Sequence, residues 1–206
     1  MSRFPVILAT RSEGKPAELR PLFAAAGYNV VDLTHVGIEE DDDERDLERF
    51  DTFEENALAK ARYFYETSGG ITTVADDSGL EVAALGGRPG VRSKRWSGHA
   101  SLGGQALDEA NNQKLLAELA PHADRSARYV CVAAYVGLGR ELTARGECAG
   151  RIVSAARGAN GFGYDPYFES AETGRTFGEM TREEKERISH RGRAFRALFG
   201  QLQGGG

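Results

Sequence analysis

Apolar and polar positions fall into blocks whose period changes along the chain. Phe4 to Ala9 is a short continuous apolar run, which predicts a buried strand. The polar stretch Thr10-Arg11-Ser12-Glu13-Gly14-Lys15 follows. A helical pattern comes next, with Leu19, Leu22 and Phe23 on one face and Gly27 closing it. Tyr28 to Leu33 predicts a second strand. Phe53, Ala57, Ala61 and Phe64 recur at helical spacing and predict a helix ending near Ser68. Either Asp51 or Thr52 can cap that helix, since a Glu lies three residues beyond each. Ile71 to Ala75, after Gly69-Gly70, has the β-branched character of another buried strand.

Further on, Gln105 to Leu119 predicts an amphipathic helix with Leu107, Leu115, Leu116 and Leu119 on its apolar face, ended by Pro121. Arg128 to Val136 and Glu141 to Cys148 read as a hairpin turning at Gly137-Leu138-Gly139. Thr181 to Arg187 is a short helical piece, and Ser189 can cap a last helix. Strands and helices mix without strict alternation, so the pattern predicts an α/β protein of mixed α+β character. No internal repeat or linker interrupts residues 1–203, which read as a single domain, and Gly204-Gly205-Gly206 reads as a flexible tail.

Composition narrows the function classes. The chain has 206 residues, 28% charged and 40% apolar, as expected for a globular enzyme and not for a disordered chain. A net charge of −5 leaves no basic surplus to displace counterions from nucleic acid, though a local basic pocket can still hold a small anion. No apolar run reaches the length of a membrane span, and the first residues lack a signal-peptide pattern, so the expected compartment is the cytoplasm. Cys131 and Cys148 fit no zinc or redox spacing and read as reduced core residues. His99 and His122 lie in polar loops and read as surface residues. The acidic run from Glu39 to Glu44 reads as a solvated loop, because like charges repel unless an ion collects them.

Candidate chemistry concentrates in a few stretches. Asp76-Asp77-Ser78-Gly79 stands at the end of the predicted strand from Ile71. Successive strand side chains point to opposite faces, so the two carboxylates do not face one site together: one aims into a cleft, the other ties down a turn at Gly79. Buried carboxylates are costly unless a cation, donors or a metal neutralise them. Taken alone, the stretch reads equally well as an Asx-type turn. Thr10, Ser12 and Lys15 lie between a strand and a helix N-terminus, where free N–H groups and the helix dipole favour phosphate. The stretch is not a G-x-x-x-x-G-K-[ST] loop, and ordinary capping explains it as well.

Asn56 and Lys60 share a helix face, which by itself reads as solvated surface. Gly158 to Phe168 interleaves glycines with aromatics. It suits a loop where a flat ligand lies against backbone and ring, or a turn packed on a core. Ser189-His190-Arg191-Gly192 puts positive side chains at a helix N-terminus, against the dipole, which points to an anion or an acceptor-rich ligand there.

In this order, six blocks resemble the inosine triphosphate pyrophosphatase family, which hydrolyses non-canonical purine nucleoside triphosphates. They are Thr10…Lys15, Thr52-Phe53-Glu54-Glu55-Asn56-Ala57, Ala75-Asp76-Asp77-Ser78-Gly79-Leu80, Gly86-Gly87-Arg88-Pro89-Gly90, Gly161-Phe162-Gly163-Tyr164-Asp165-Pro166, and Thr181-Arg182-Glu183-Glu184-Lys185 with Ser189-His190-Arg191-Gly192. The first departs from the family's T-x-N-x-x-K by carrying Ser12 in place of Asn; a hydroxyl can still donate there. The resemblance implies an elongated central mixed sheet flanked by helices, in two lobes around a nucleotide cleft, and a homodimer.

It also implies water attack at the α-phosphorus, releasing pyrophosphate. Asp77, Asp76 and Lys60 are then the catalytic residues, with Asp77 and Glu48 holding Mg²⁺. Thr10, Arg11, Ser12 and Lys15 would take the phosphates, with Ser78 and Lys60 assisting. Phe162, Gly163, Tyr164, Asp165, Lys185, His190 and Arg191 would take the purine. Here Phe162 stacks on the ring, Asp165 accepts from a base N–H, and the cationic donors read the C6 oxygen. A non-catalytic purine-nucleotide sensor and a pyrophosphatase for modified pyrimidine triphosphates are the competing readings.

Overall fold

A computed structural model describes residues 5–12, 14–41, 44, 46–99 and 101–204. Phe4 of the first predicted strand, Glu13 of the following loop, Asp42 and Asp43 of the acidic run, and Gly205 and Gly206 of the tail lie outside the described residues. The elements in chain order are β1 (Val6–Ala9), α1 (Lys15–Ala25), β2 (Val30–Asp32), α2 (Phe53–Thr67), β3 (Thr73–Val82) and β4 (Pro89–Gly90). They continue with α3 (Gly104–Leu119), β5 (Ser126–Gly137), β6 (Arg140–Ile152), β7 (Phe168–Ser170), α4 (Arg182–Ile188) and α5 (His190–Gly204). Strand pairing runs β2-β1-β3-β5-β6-β7, with β4 beside β3, in one mixed seven-stranded sheet flanked by helices. The mixed α/β class expected from the pattern is therefore observed.

The chain divides into two compact units. The first comprises 1–77, 131–146 and 191–206; the second comprises 78–130 and 147–190. In the first unit β1 pairs in parallel with β2 (Val6 opposite Val30) and with β3 (Ile7 opposite Thr73, Ala9 opposite Ala75). Its core joins Leu8, Val74 and Ala133 to Leu19, Leu22 and Phe23 of α1 and to Phe195, Leu198 and Phe199 of α5. The α1 stripe read from the sequence is thus the buried one. In α2, Thr52 and not Asp51 is the cap, its hydroxyl accepting from the Glu55 amide at 3.2 Å. The four apolar residues of the α2 stripe are all buried.

In the second unit Leu80, Val82, Leu115, Leu119, Tyr129, Ile152, Phe168 and Phe177 share a core. There β4 pairs antiparallel with β3 (Leu80 opposite Gly90), and β7 with β6 (Gly150 opposite Ser170). Both cysteines are buried and unbridged, and His99 and His122 are exposed, as expected.

Three expectations are corrected. The strand entered at Ile71 does not stop before Asp76, because β3 runs through Asp76, Asp77, Ser78 and Gly79 to Val82. Pairing of Leu80 and Glu81 with β4 holds that segment extended where the local Asp-Ser-Gly chemistry suggests a turn. On α3, Asn111 and Asn112 are buried beside Leu115 and Leu119, while Leu107 and Leu116 are only partly covered. The amides belong inside because they satisfy loop backbone: Asn111 accepts from the Ser97 amide at 2.7 Å and donates to the Lys94 carbonyl at 3.1 Å. Gly204, placed with the tail by composition, is the last residue of α5.

At the tip of the β5–β6 hairpin Leu138 (φ 51°) and Gly139 (φ 71°) both take positive φ, and Leu138 is 85% exposed. A left-handed Leu costs about 1–2 kcal/mol, whereas Asn tolerates that region. Leu138→Asn is therefore expected to raise the thermal midpoint, by a stabilisation of about 1 kcal/mol. An unchanged or lower midpoint in a melting experiment contradicts the assigned turn.

Candidate active site

The last parallel pair between β1 and β3 is Ala9 opposite Ala75. From there the chain leaves β1 through Thr10–Gly14 into α1, while β3 continues into Asp76 and Asp77. The two carboxylates thus stand beside the carboxyl end of a parallel strand and a helix N-terminus, where ligands bind in open α/β sheets. Among the described residues no side chain caps α1, whose first residue is Lys15, and Ser12 N–H donates to Thr10 Oγ1 at 3.1 Å within the loop.

The adjacent carboxylates have different partners, as strand alternation requires. Asp76 is completely buried, and its Oδ2 lies 2.9 Å from Lys15 Nζ and 3.5 Å from Arg191 Nε. Cys131 Sγ donates to the same oxygen at 3.8 Å. Arg191 also bonds Glu18 Oε2 through Nη1 at 2.5 Å. Burial alone would lower the Arg191 pKa, but Glu18 and Asp76 reverse this and raise it, so the guanidinium stays charged. Asp77 instead accepts from Asn56 Nδ2 at 2.9 Å. Asn56 also clasps Phe50, accepting from its N–H at 2.9 Å and donating to its carbonyl at 3.2 Å. That ties α2 and the segment two residues beyond Glu48 to Asp77.

Lys60, one turn on from Asn56, donates to Glu48 Oε1 and to the Asp76 carbonyl, each at 2.5 Å. Desolvation would lower its pKa, but Glu48, Asp76 and Asp77 together raise it and keep the ammonium protonated. Asn56 and Lys60, which read as solvated surface in isolation, are thus buried parts of the site.

Asp77 is the electrostatic exception. Burial first, and then Glu48, push its pKa up to about 6, against the opposing effect of Lys60, Lys15 and the Asn56 hydrogen bond. Loss of solvation, more than any neighbouring charge, therefore makes this carboxylate costly to ionise. Among the described residues no group of three or more His, Cys, Asp or Glu forms a self-sufficient metal cage. Asp77 and Glu48 are the carboxylates that would hold a divalent cation, which would offset the cost of ionising the buried Asp77.

Of the remaining phosphate-side candidates, Arg11 is engaged elsewhere. It is paired with Glu44 at 2.6 Å, bonded to the Ile38 carbonyl, and placed 5.8 Å from the Phe64 ring centroid. Ser78 is half-buried in β3. Arg191, expected among the base-reading donors, is held by Glu18 and Asp76 as described.

The second unit gathers most of the base-side candidates around Asp165. Its Oδ2 accepts from Lys185 Nζ at 2.5 Å and from the Phe162 amide at 2.9 Å, and its Oδ1 accepts from Tyr129 OH at 3.3 Å. Lys185 Nζ lies 5.0 Å from the Phe162 ring centroid and 5.4 Å from that of Phe177. Asp165 therefore serves as an anchor within the protein as well as an acceptor near the expected base. Gly161 has φ +76°, and a Cβ there would stand 2.0 Å from Asp165 Oδ2, so only glycine lets the loop close on that carboxylate.

From α3, Asp108 accepts from the Gly163 amide at 2.7 Å and Asn112 donates to its carbonyl at 3.0 Å. Tyr164 is buried, and its hydroxyl donates to the Ser93 carbonyl at 2.8 Å, a packing role. His190, 2% exposed, stacks on Tyr129 at 4.4 Å with 6° between ring planes. Sequence reasoning missed Glu18, Tyr129, Asp108 and Asn112. Their spacing is ordinary for helix or strand, and only tertiary partners give them a role.

The Asp77 shift fixes a stability sign for the metal-free protein. Between its ordinary value of 3.8 and about 6, the native state holds this proton more than the unfolded state does. Stability from this group thus falls as pH rises through that window, and above it the ionised carboxylate is destabilising by about 3 kcal/mol. Asp77→Asn is expected to melt above wild type at pH 7.5 without metal, with the advantage gone near pH 4. Equal or lower midpoints for the variant at the higher pH contradict the assigned environment.

A model of the Ham1 family matches residues 6–201. The chain is 47% identical to a dITP/XTP pyrophosphatase of Symbiobacterium thermophilum, covering 98% of this chain and 96% of that one. It is 46% identical to a dITP/XTP pyrophosphatase of Syntrophobacter fumaroxidans, covering 94% and 79% respectively. Among solved structures, a HAM1 protein from Coxiella burnetii superposes with a TM-score of 0.82 at 35% identity, covering 97% of this chain and 98% of that one. A nucleoside-triphosphatase described as a dITP/XTP pyrophosphatase from Mycobacterium abscessus superposes with a TM-score of 0.70 at 40% identity, covering 95% and 98%. The resemblance carried by the six sequence blocks thus extends over the whole fold, and the chain belongs to the Ham1 family.

Proposed function

We propose that the protein hydrolyses non-canonical purine nucleoside triphosphates (dITP, XTP and ITP) to the monophosphate and pyrophosphate, removing them from the nucleotide pool. The observation that carries this reading is the buried carboxylate of Asp77, its pKa raised to about 6 mainly by burial, set among Lys15, Lys60 and Glu48 beside the N-terminus of α1. Lys15, Thr10 and Ser12, at the N-terminus of α1, bind the phosphate chain. Asp77 orients water and takes its proton, a role suited to a carboxylate whose pKa is raised toward neutrality. Asp76 holds Lys15 and Arg191 in place, and Lys60 spreads positive charge between Glu48 and the β3 backbone. Mg²⁺ held by Asp77 and Glu48 would offset phosphate charge and polarise the phosphoryl oxygens when bound with substrate.

Base choice follows from hydrogen-bond sign. Hypoxanthine and xanthine present an acceptor oxygen at C6, and adenine presents an amino donor. Donors from His190 and Lys185 pair with the oxygen and are left unsatisfied by the amine. Sites of that kind reject the wrong group by a factor on the order of 10⁴. Phe162 stacks on the ring, with Gly163 and Asp165 fixing the loop that carries it. Residues 1–203 act as a single pyrophosphatase domain, which the family reading makes a cytoplasmic homodimer. The net charge of −5 leaves no basic surplus for nucleic acid, and no helix among the described residues is long and apolar enough to cross a bilayer.

Pyrophosphate release should be fast with dITP, XTP and ITP, slow with dATP, and dependent on Mg²⁺. Asp77→Asn should keep the fold and lose at least about 10²-fold in kcat. Comparable kcat/KM for dATP and dITP, or near-normal turnover by the variant, contradicts the assignment.

A further inference from the structure

Tyr129 lies on β5, amid a run of apolar strand residues, and nothing in its sequence context separates it from the core. Its position does. The ring is nearly parallel to that of His190 (4.4 Å, 6°) and to that of Phe177 (5.7 Å, 5°), and it meets Phe168 edge-on at 4.7 Å. Its hydroxyl donates to Asp165 Oδ1, on the carboxylate that holds Lys185 and the Phe162 amide. One side chain thus touches both the imidazole and the acid at the centre of the base-side group. A histidine can aim an N–H at a C6 oxygen only if its ring plane is fixed. At 2% exposure, a parallel aromatic neighbour supplies that restraint without consuming either ring nitrogen.

We propose that Tyr129 is a positioning residue that sets base selectivity by holding the His190 ring plane through stacking, while its hydroxyl only supplements the anchoring of Asp165. It does not touch substrate. The proposal deepens the reading of His190 as a base-reading donor and rests on it. Removing the stack should weaken recognition of 6-oxopurines and leave the chemical step intact. The expected loss is about five- to tenfold, the size of one aromatic pair.

The test compares wild type, Tyr129→Phe and Tyr129→Leu as full-length proteins with Mg²⁺ and dITP, XTP and dATP. Separately, the histidine ring protons are followed by NMR. In wild type, His190 should be displaced upfield of the other three histidines by the Tyr129 ring current. The Phe variant should keep that displacement and a KM for dITP within about twofold of wild type. The Leu variant should lose the displacement and raise KM for dITP and XTP with kcat preserved. KM for dATP should not change, so the dITP preference contracts.

A Phe variant that loses as much as the Leu variant assigns the effect to the hydroxyl and overturns the proposal. So does a Leu variant with unchanged selectivity, or one with an equal kcat loss on every substrate. If Tyr129→Leu does not fold, the wild-type spectrum and the Phe variant decide: absence of the upfield displacement overturns the proposal. A wild type that spares dITP altogether refutes the pyrophosphatase reading instead, a result distinct from any of these.

Discussion

Charge compensation around the Asp76–Asp77 step governs the first unit. Asp76, Asp77, Lys60 and Arg191 are each less than a tenth exposed, and Lys15 and Glu18 border them. Such groups are tolerated only with partners at hydrogen-bond distance, and the partners come from three helices. Lys15 and Glu18 come from α1, Asn56 and Lys60 from α2, and Arg191 from α5. The helices are therefore held in register with the strand by ionic contacts as well as by the apolar stripes that bury them. Buried ion pairs seldom add net stability over well-packed apolar residues, yet losing one partner costs about 3–5 kcal/mol. A network of this kind is better explained by what it does than by what it stabilises. Asp76 and Glu48 are ion-paired with lysines, whereas burial keeps the Asp77 pKa raised in spite of Lys60 and Lys15, and the proposed chemistry is placed at that carboxylate.

In the second unit the organising group is a carboxylate of a different kind. Asp165 accepts from an ammonium, an amide and a phenol. Instead of doing chemistry it fixes the geometry of Lys185, Phe162 and Tyr129. The glycine-rich loop around it is pinned from α3 through both polar atoms of the Gly163 backbone. In the proposed reading, base recognition rests on this loop and a stacked imidazole.

How much was legible in the sequence differs by element. The β1 run, the α1 stripe and the α2 stripe follow from local pattern, and the structure reproduces them within a few residues, while the choice of Thr52 over Asp51 as cap came only from the structure. The extent of β3 was not legible, because Ser78-Gly79 carries turn chemistry that pairing with β4 overrides. Asn111 and Asn112 break the apolar face expected on α3, since buried amides that satisfy loop backbone look polar to any periodicity argument. Different partners for Asp76 and Asp77 did follow from strand alternation, but the turn at Gly79 that one of them was expected to tie down is absent, because β3 continues through it. The destination of Arg191 did not follow from the sequence, because a long side chain at a helix start can reach in several directions, and only Glu18 and Asp76 decide which. Tyr129 left no local signal, as one aromatic in an apolar strand is indistinguishable from core.

The central claim is that the cluster around Asp77 readies water at the α-phosphorus while the lysines hold the rest of the phosphate chain. Hydrolysis of dITP in ¹⁸O-water, with the products resolved by mass spectrometry, tests this most directly. The label should enter the nucleoside monophosphate, with unlabelled pyrophosphate as the other product. Label in pyrophosphate, or release of orthophosphate and the nucleoside diphosphate, would place the attack at another phosphorus and contradict the account.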